Sequence, residues 1–172
     1  TLNSTSTVVM TGTAEDNNLG AMVGSVPDVD GDGDDEFLVM DPVLGDMYFF
    51  LGGTEVEIGG LTPTDADAVL ESVGGAPSSI VNVGDWTNDG LDDVAFAYGL
   101  TAAAGSGGSV VILESGAWTG TQRMDSIAAG SLAGTDYNGL FGAGIAKTPA
   151  DLNGDGAMDL VVGDHGYDED ED

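Results

Sequence analysis

Short runs of Val, Ile, Leu, Phe and Tyr recur along this chain, and glycine, aspartate or asparagine separates one run from the next. Phe37-Leu38-Val39, Val94-Ala95-Phe96 and Leu160-Val161-Val162 are too short for helices, and so are Met47 to Leu51 and Val110 to Leu113. Apolar runs of this length between turn-forming residues predict strands. The best local helix former, Thr101-Ala102-Ala103-Ala104, is crowded by Gly99, Gly105, Gly107 and Gly108 and reads as a loop. An all-β fold is therefore expected. The chain has 172 residues, enough for one core or a short array of repeated units, and its 29 dispersed glycines favour the array.

Each of three runs follows directly on an acidic loop. These loops are Asp28 to Glu36, Asp85 to Asp93 and Asp151 to Asp159, and they share a D-x-x-x-D-G-x-x-(D/E) frame. Their starts lie 57 and 66 residues apart, the period of a supersecondary unit. The spacing suits Ca²⁺, which takes six to eight hard oxygen ligands in flexible geometry. Side chains one, three and five can face a common centre, a glycine at six turns the chain, a carbonyl is offered at seven, and a carboxylate closes the loop at nine. The candidate ligands are Asp28, Asp30, Asp32, Asp34 and Glu36 in the first loop, and Asp85, Thr87, Asp89, Leu91 and Asp93 in the second. The third supplies Asp151, Asn153, Asp155, Ala157 and Asp159. Up to three calcium ions are expected, the weakest site being the second, where Thr87 stands at position three. In the first loop Glu36 replaces the shorter Asp at position nine, with Asp35 as a possible substitute.

An EF-hand begins in the same way, but it requires an acid at position twelve and flanking helices. Val39, Phe96 and Val162 occupy that position. The competing reading is a set of solvated Asp/Gly turns without an ion; three loops in register argue against it.

Charge narrows the partners. There are 31 acids against two bases, Arg123 and Lys147, for a formal net charge of -29. Phosphate backbones are bound by clustered Lys and Arg, so nucleic acid is not an expected partner, and neither is an anionic membrane surface. No apolar run reaches the length of a membrane span, and without cysteine neither a disulfide nor a thiolate metal site is available. The first residue, Thr1, suggests a processed or trimmed chain, and Asn3-Ser4-Thr5 is a sequon for an N-glycan at Asn3. Extracellular or cell-surface residence is expected.

The loops and the segments around them resemble the FG-GAP repeats of integrin alpha-chain propellers and their bacterial relatives. Phe141-Gly142 precedes Asp151, Leu19-Gly20 precedes Asp28, and Ala76-Pro77 takes the matching place before Asp85. Gly45 to Leu51 and Gly108 to Leu113 match the outer strand of such a repeat. The Gly-Ala-Pro element of the pattern is replaced by Met40-Asp41-Pro42, Ala97-Tyr98 and Gly163-Asp164. The resemblance implies four-stranded antiparallel blades of a β-propeller, fewer than three of them complete. Residues 1–18 would be the leading strand of a shared blade, 19–75 the first repeat, 76–140 the second, and 141–172 an incomplete third with an acidic tail. The strand within Thr7 to Gly12 corresponds to one around Arg123 to Ala129, so the two ends are expected to complete a blade with flanking blades of a longer chain or with copies of this one, giving a larger propeller, ring or fibre.

Three classes of function remain. A calcium-stabilised structural or adhesive scaffold accounts for the loops. A ligand-binding module follows by analogy with integrins and rests on fold alone. A glycan-active enzyme is the rival, and the inventory opposes it: His165 is the one histidine, in a glycine-flanked stretch that runs into Asp168-Glu169-Asp170-Glu171-Asp172. Trp86 and Trp118 are candidates for exposed ligand contacts, but packing between blades is the commoner role of such aromatics and is the expectation for both.

Overall fold

A computed structural model describes residues 9–12, 18–53, 60–72, 74–99, 107–116, 118–135, 139–147, 151–156 and 158–165. The readings made for Asn3, Thr101 to Ala104, Ala157 and the acidic tail lie outside these residues. Among the described residues the chain is all-β, with eleven strands and two 3₁₀ turns, Pro63–Asp65 and Met124–Ser126.

The first sheet is a meander of β1 (Val23–Val26), β2 (Glu36–Met40), β3 (Met47–Phe50) and β4 (Ala68–Glu71), each antiparallel to the last. The second repeats the plan with β5 (Ser79–Gly84), β6 (Asp93–Ala97), β7 (Ser109–Leu113) and β9 (Ala128–Ala133). The third is a pair, β10 (Gly144–Lys147) with β11 (Leu160–Gly163). Several antiparallel sheets and no closed barrel make this a partial propeller-like fold. Two details differ from the sequence reading. The segments taken as outer strands, β3 and β7, are third strands with β4 and β9 outside them. The strand expected around Arg123 to Ala129 is interrupted by the Met124–Ser126 turn. What precedes that turn is β8 (Gly120–Arg123), which leaves the second repeat and runs parallel along β4, from Ala68 opposite Gly120 to Glu71 opposite Arg123. It thereby covers a sheet edge that would otherwise present unpaired backbone groups.

Side-chain alternation orders the sheets. On β2, Leu38 and Met40 face the second sheet, where Val94 and Phe96 of β6 meet them in a core with Val26, Val29, Met47, Phe49, Leu70, Leu113 and Trp118. The Trp118 ring meets Phe49 edge-on at 5.0 Å, so this tryptophan packs between blades as expected. The alternate residues of β6, Ala95 and Ala97, turn the other way and, with Val83, Val110 and Ile112, receive Ile145, Leu160 and Val162 of the third sheet. All five residues of β6 are buried. A strand covered on both faces is continuously apolar, whereas a half-exposed strand alternates.

The outer face of the first sheet carries Phe37 stacked on Phe50 at 4.9 Å, and beside Phe37 opens a groove of about 440 Å³ lined by Met10, Leu19, Gly20, Val23 and Val39. The N-terminal segment, expected to pair with a flanking blade or another copy, bonds within this chain: Thr11 N–H donates to the Leu61 carbonyl at 2.8 Å, and Gly60 and Leu61 N–H both donate to the Val9 carbonyl at 3.0 Å.

Because Phe49 is fully buried against Trp118, Phe49→Ala is expected to cost about 3–5 kcal/mol from lost burial and cavity formation. Urea denaturation in calcium-containing buffer measures it; a loss under about 1 kcal/mol would contradict the inter-sheet core described above.

Candidate metal centre

The three acidic loops join β1 to β2, β5 to β6 and β10 to β11, so each links an antiparallel pair at the same end of its sheet. Their backbones follow one design. The glycine at position six is left-handed in all three, with φ of 99° at Gly33, 96° at Gly90 and 95° at Gly156. Position four is left-handed too: Gly31 at 83°, Asn88 at 63° and Gly154 at 81°. Only glycine, or asparagine with its short polar side chain, adopts this conformation at low cost. The sequence reading passed over position four, although Gly, Asn and Gly in register signal it.

The carboxylates hold this backbone. Asp28 accepts from Gly31 N–H at 2.6 Å and Gly33 N–H at 2.9 Å. Asp151 accepts from Gly154 and Gly156 N–H, both at 2.6 Å, and Asp85 from Asp89 at 2.9 Å and Gly90 at 3.0 Å. The Gly156 N–H is the main reason the Asp151 carboxyl titrates below the usual range, with Gly154 adding to it. Position nine reaches back to position two: Glu36 accepts from Val29 at 2.9 Å, Asp93 from Trp86 at 2.9 Å, and Asp159 from Leu152. At position seven, Asp34 N–H donates to Asp32 and Leu91 N–H to Asp89, both at 2.9 Å.

The first loop goes further than a turn. One oxygen from each of Asp28, Asp30, Asp32 and Glu36 lies within 4.8 Å of the others. Asp35, considered as a substitute, is exposed, while Glu36 is 2% exposed. Its Oε2 takes the Val29 N–H, but Oε1 is buried with no hydrogen-bond partner. An unpaired buried carboxylate oxygen is costly, and a hard cation among these oxygens would satisfy it. The residues fit such a group: every donor is a carboxylate oxygen, the ligand type that hard divalent cations take.

Among the described residues, this is where three or more carboxylates converge. In the second loop both oxygens of Asp93 are engaged, by Trp86, Thr87 at 2.8 Å and Ser115 at 2.8 Å, while the Thr87 hydroxyl is buried without a partner. In the third, Asn153 donates to Asp155 at 3.0 Å and accepts from its N–H at 2.8 Å. His165 is exposed, and no described helix is long and apolar enough to cross a membrane.

Fold and site together define an all-β repeat protein whose inter-strand turns are acidic and whose first turn gathers four carboxylates that could hold a metal ion. No family model matches the chain. In an alignment of 156 positions that covers 84% of the chain, it is 27% identical to integrin alpha-5 of Xenopus laevis, and the match spans 14% of that protein.

Burial pushes the Glu36 carboxyl upward, and Asp30, Asp28 and Asp32 push it further, while the Val29 N–H opposes them. A carboxyl raised in the folded state stabilises the fold fully below its unfolded pKa, near 4.5, and loses that contribution as pH rises through the folded value. In metal-free buffer, Glu36→Gln is thus expected to melt above the parent protein at pH 7, with the gap closing as pH falls toward 4.5. Thermal melts of the two proteins across this range test it, and a gap independent of pH would refute it.

Proposed function

We propose that this chain is a segment of FG-GAP-like repeats, stabilised by calcium, with a structural or adhesive role outside the cell and no catalytic one. The observation that carries the reading is the Glu36 Oε1 atom, buried without a partner among Asp28, Asp30 and Asp32. A cation there ties the end of β1 to the start of β2 and removes repulsion among four acids, so binding is coupled to folding. Extracellular calcium modules bind at roughly 10⁻⁴ to 10⁻³ M, suited to surroundings rich in the ion. The likeness to integrin alpha-5 supports the adhesive and extracellular parts of the reading. The sequon at Asn3 agrees with such a location.

Millimolar calcium is expected to raise the melting temperature over that in EDTA, and Glu36→Gln to remove most of the rise. Equal melting with calcium and with chelator would end the calcium reading.

Flanking blades, or copies of this chain, complete the array on this proposal. The support is positional. After the second and third loops the first and third residues face the preceding sheet, and after the first and second loops the second residue, Leu38 or Ala95, faces the following one. Val161 is the residue of that kind on β11, and it is 47% exposed. Leu152, at position two of its loop, is 67% exposed where Val29 is fully buried. Light scattering at rising concentration is expected to give masses above the 17.2 kDa of one chain, and Val161→Asp to restore the single-chain mass. A monomer at every concentration would leave flanking blades of a longer chain as the partner.

A further inference from the structure

We propose that the second acidic turn needs no ion, and that three backbone N–H groups do at Asp93 what a cation does at Glu36. The inference rests on the calcium reading of the first turn. Both position-nine carboxylates are buried, Glu36 at 2% exposure and Asp93 at 0%, so each must be compensated where water does not reach. They are compensated differently. Glu36 receives one N–H, from Val29, and keeps Oε1 bare. Asp93 receives Trp86 and Thr87 N–H on Oδ2 and Ser115 N–H on Oδ1, at 2.8 to 2.9 Å. A carboxylate that accepts two or three backbone N–H bonds is stabilised in its charged form without a counterion.

The decisive donor is Ser115. It follows β7 and is fixed by its own hydroxyl, which donates to the Asp92 carbonyl. The pairing of Val94 with Leu113 and of Phe37 with Phe50 makes Gly52 its counterpart in the first sheet. Gly52 has no hydroxyl, and no donor there reaches Glu36 Oε1. A second fixture is apolar: Trp86 lies across Gly130 of β9, where an added Cβ would come within 2.9 Å of the indole. The Thr87 hydroxyl is the unsatisfied atom of this turn, and being neutral it costs far less than a bare carboxylate oxygen. Asp85, Asp89 and Asp93 do not form a convergent group like that of the first turn.

Hydrogen exchange by mass spectrometry on the whole chain, with calcium and with EDTA, reads the two turns separately. Calcium is expected to slow exchange at residues 28–36 by about tenfold or more, and to change residues 85–93 by less than about twofold. The same comparison in Glu36→Gln, or in Asp30→Asn should that variant not fold, removes any effect transmitted from the first turn. Calcium-dependent protection of 85–93 in the variant would overturn the inference while leaving the calcium reading intact. Protection of neither turn in the parent protein would overturn both. An unchanged 85–93 beside a protected 28–36 supports it.

Discussion

The structure depends on reversing the chain sharply between antiparallel strands while carrying several negative charges through the bend. The solution is the same three times: the first carboxylate folds inward onto the N–H of the glycine five residues on, and the last reaches back to the N–H at position two. Two left-handed residues, at four and six, make this geometrically possible. The acids are thus part of the backbone hydrogen-bonding scheme before they are anything else, which is why the frame persists where the side chain at position three is Thr87 or Asn153.

Once the turn is set, strand register follows. The residues after each loop alternate faces, so one turn fixes which side chains meet the sheet before and which meet the sheet after. In the second sheet the result is a strand with both faces covered, using bulk on one side, Val94 and Phe96, and small residues on the other, Ala95 and Ala97. The connection after β7 then spends four residues, β8, on the edge of the first sheet before returning through Met124. Tyr98 reinforces the return by donating its hydroxyl to the Met124 sulfur at 3.0 Å. Adjacent repeats are bound by core and by edge, and this buried contact anchors the return within the second repeat.

Much of this was legible in the sequence. Glycine-bounded apolar runs gave the strands, the D-x-x-x-D-G frame located the turns, and Val39, Phe96 and Val162 at position twelve excluded a helix-flanked alternative. Partner assignment was less legible. Nothing local distinguishes a third strand from an edge strand, so β3 and β7 were read as outer, and a parallel neighbour such as β8 leaves no periodic signature. The N-terminal segment was matched by its apolar pattern, but its backbone partner, Leu61, depends on where the β3 to β4 connection runs. At the site, ligand types were readable whereas burial was not, since burial is set by the neighbouring sheet.

That last point explains why three similar turns have different chemistry. Val29 is drawn into the core between the first and second sheets, and Glu36, bonded to its N–H, goes in with it. Asp93 is buried as deeply, but Ser115 is at hand. Leu152 stays exposed, and Asp159 with it remains only partly covered, so water can reach the third turn. On the proposal made above, the need for a cation is a property of the packing around position nine rather than of the acidic motif. A motif alone counts ligands; the balance between a buried carboxylate and the N–H donors within its reach decides whether they are called on.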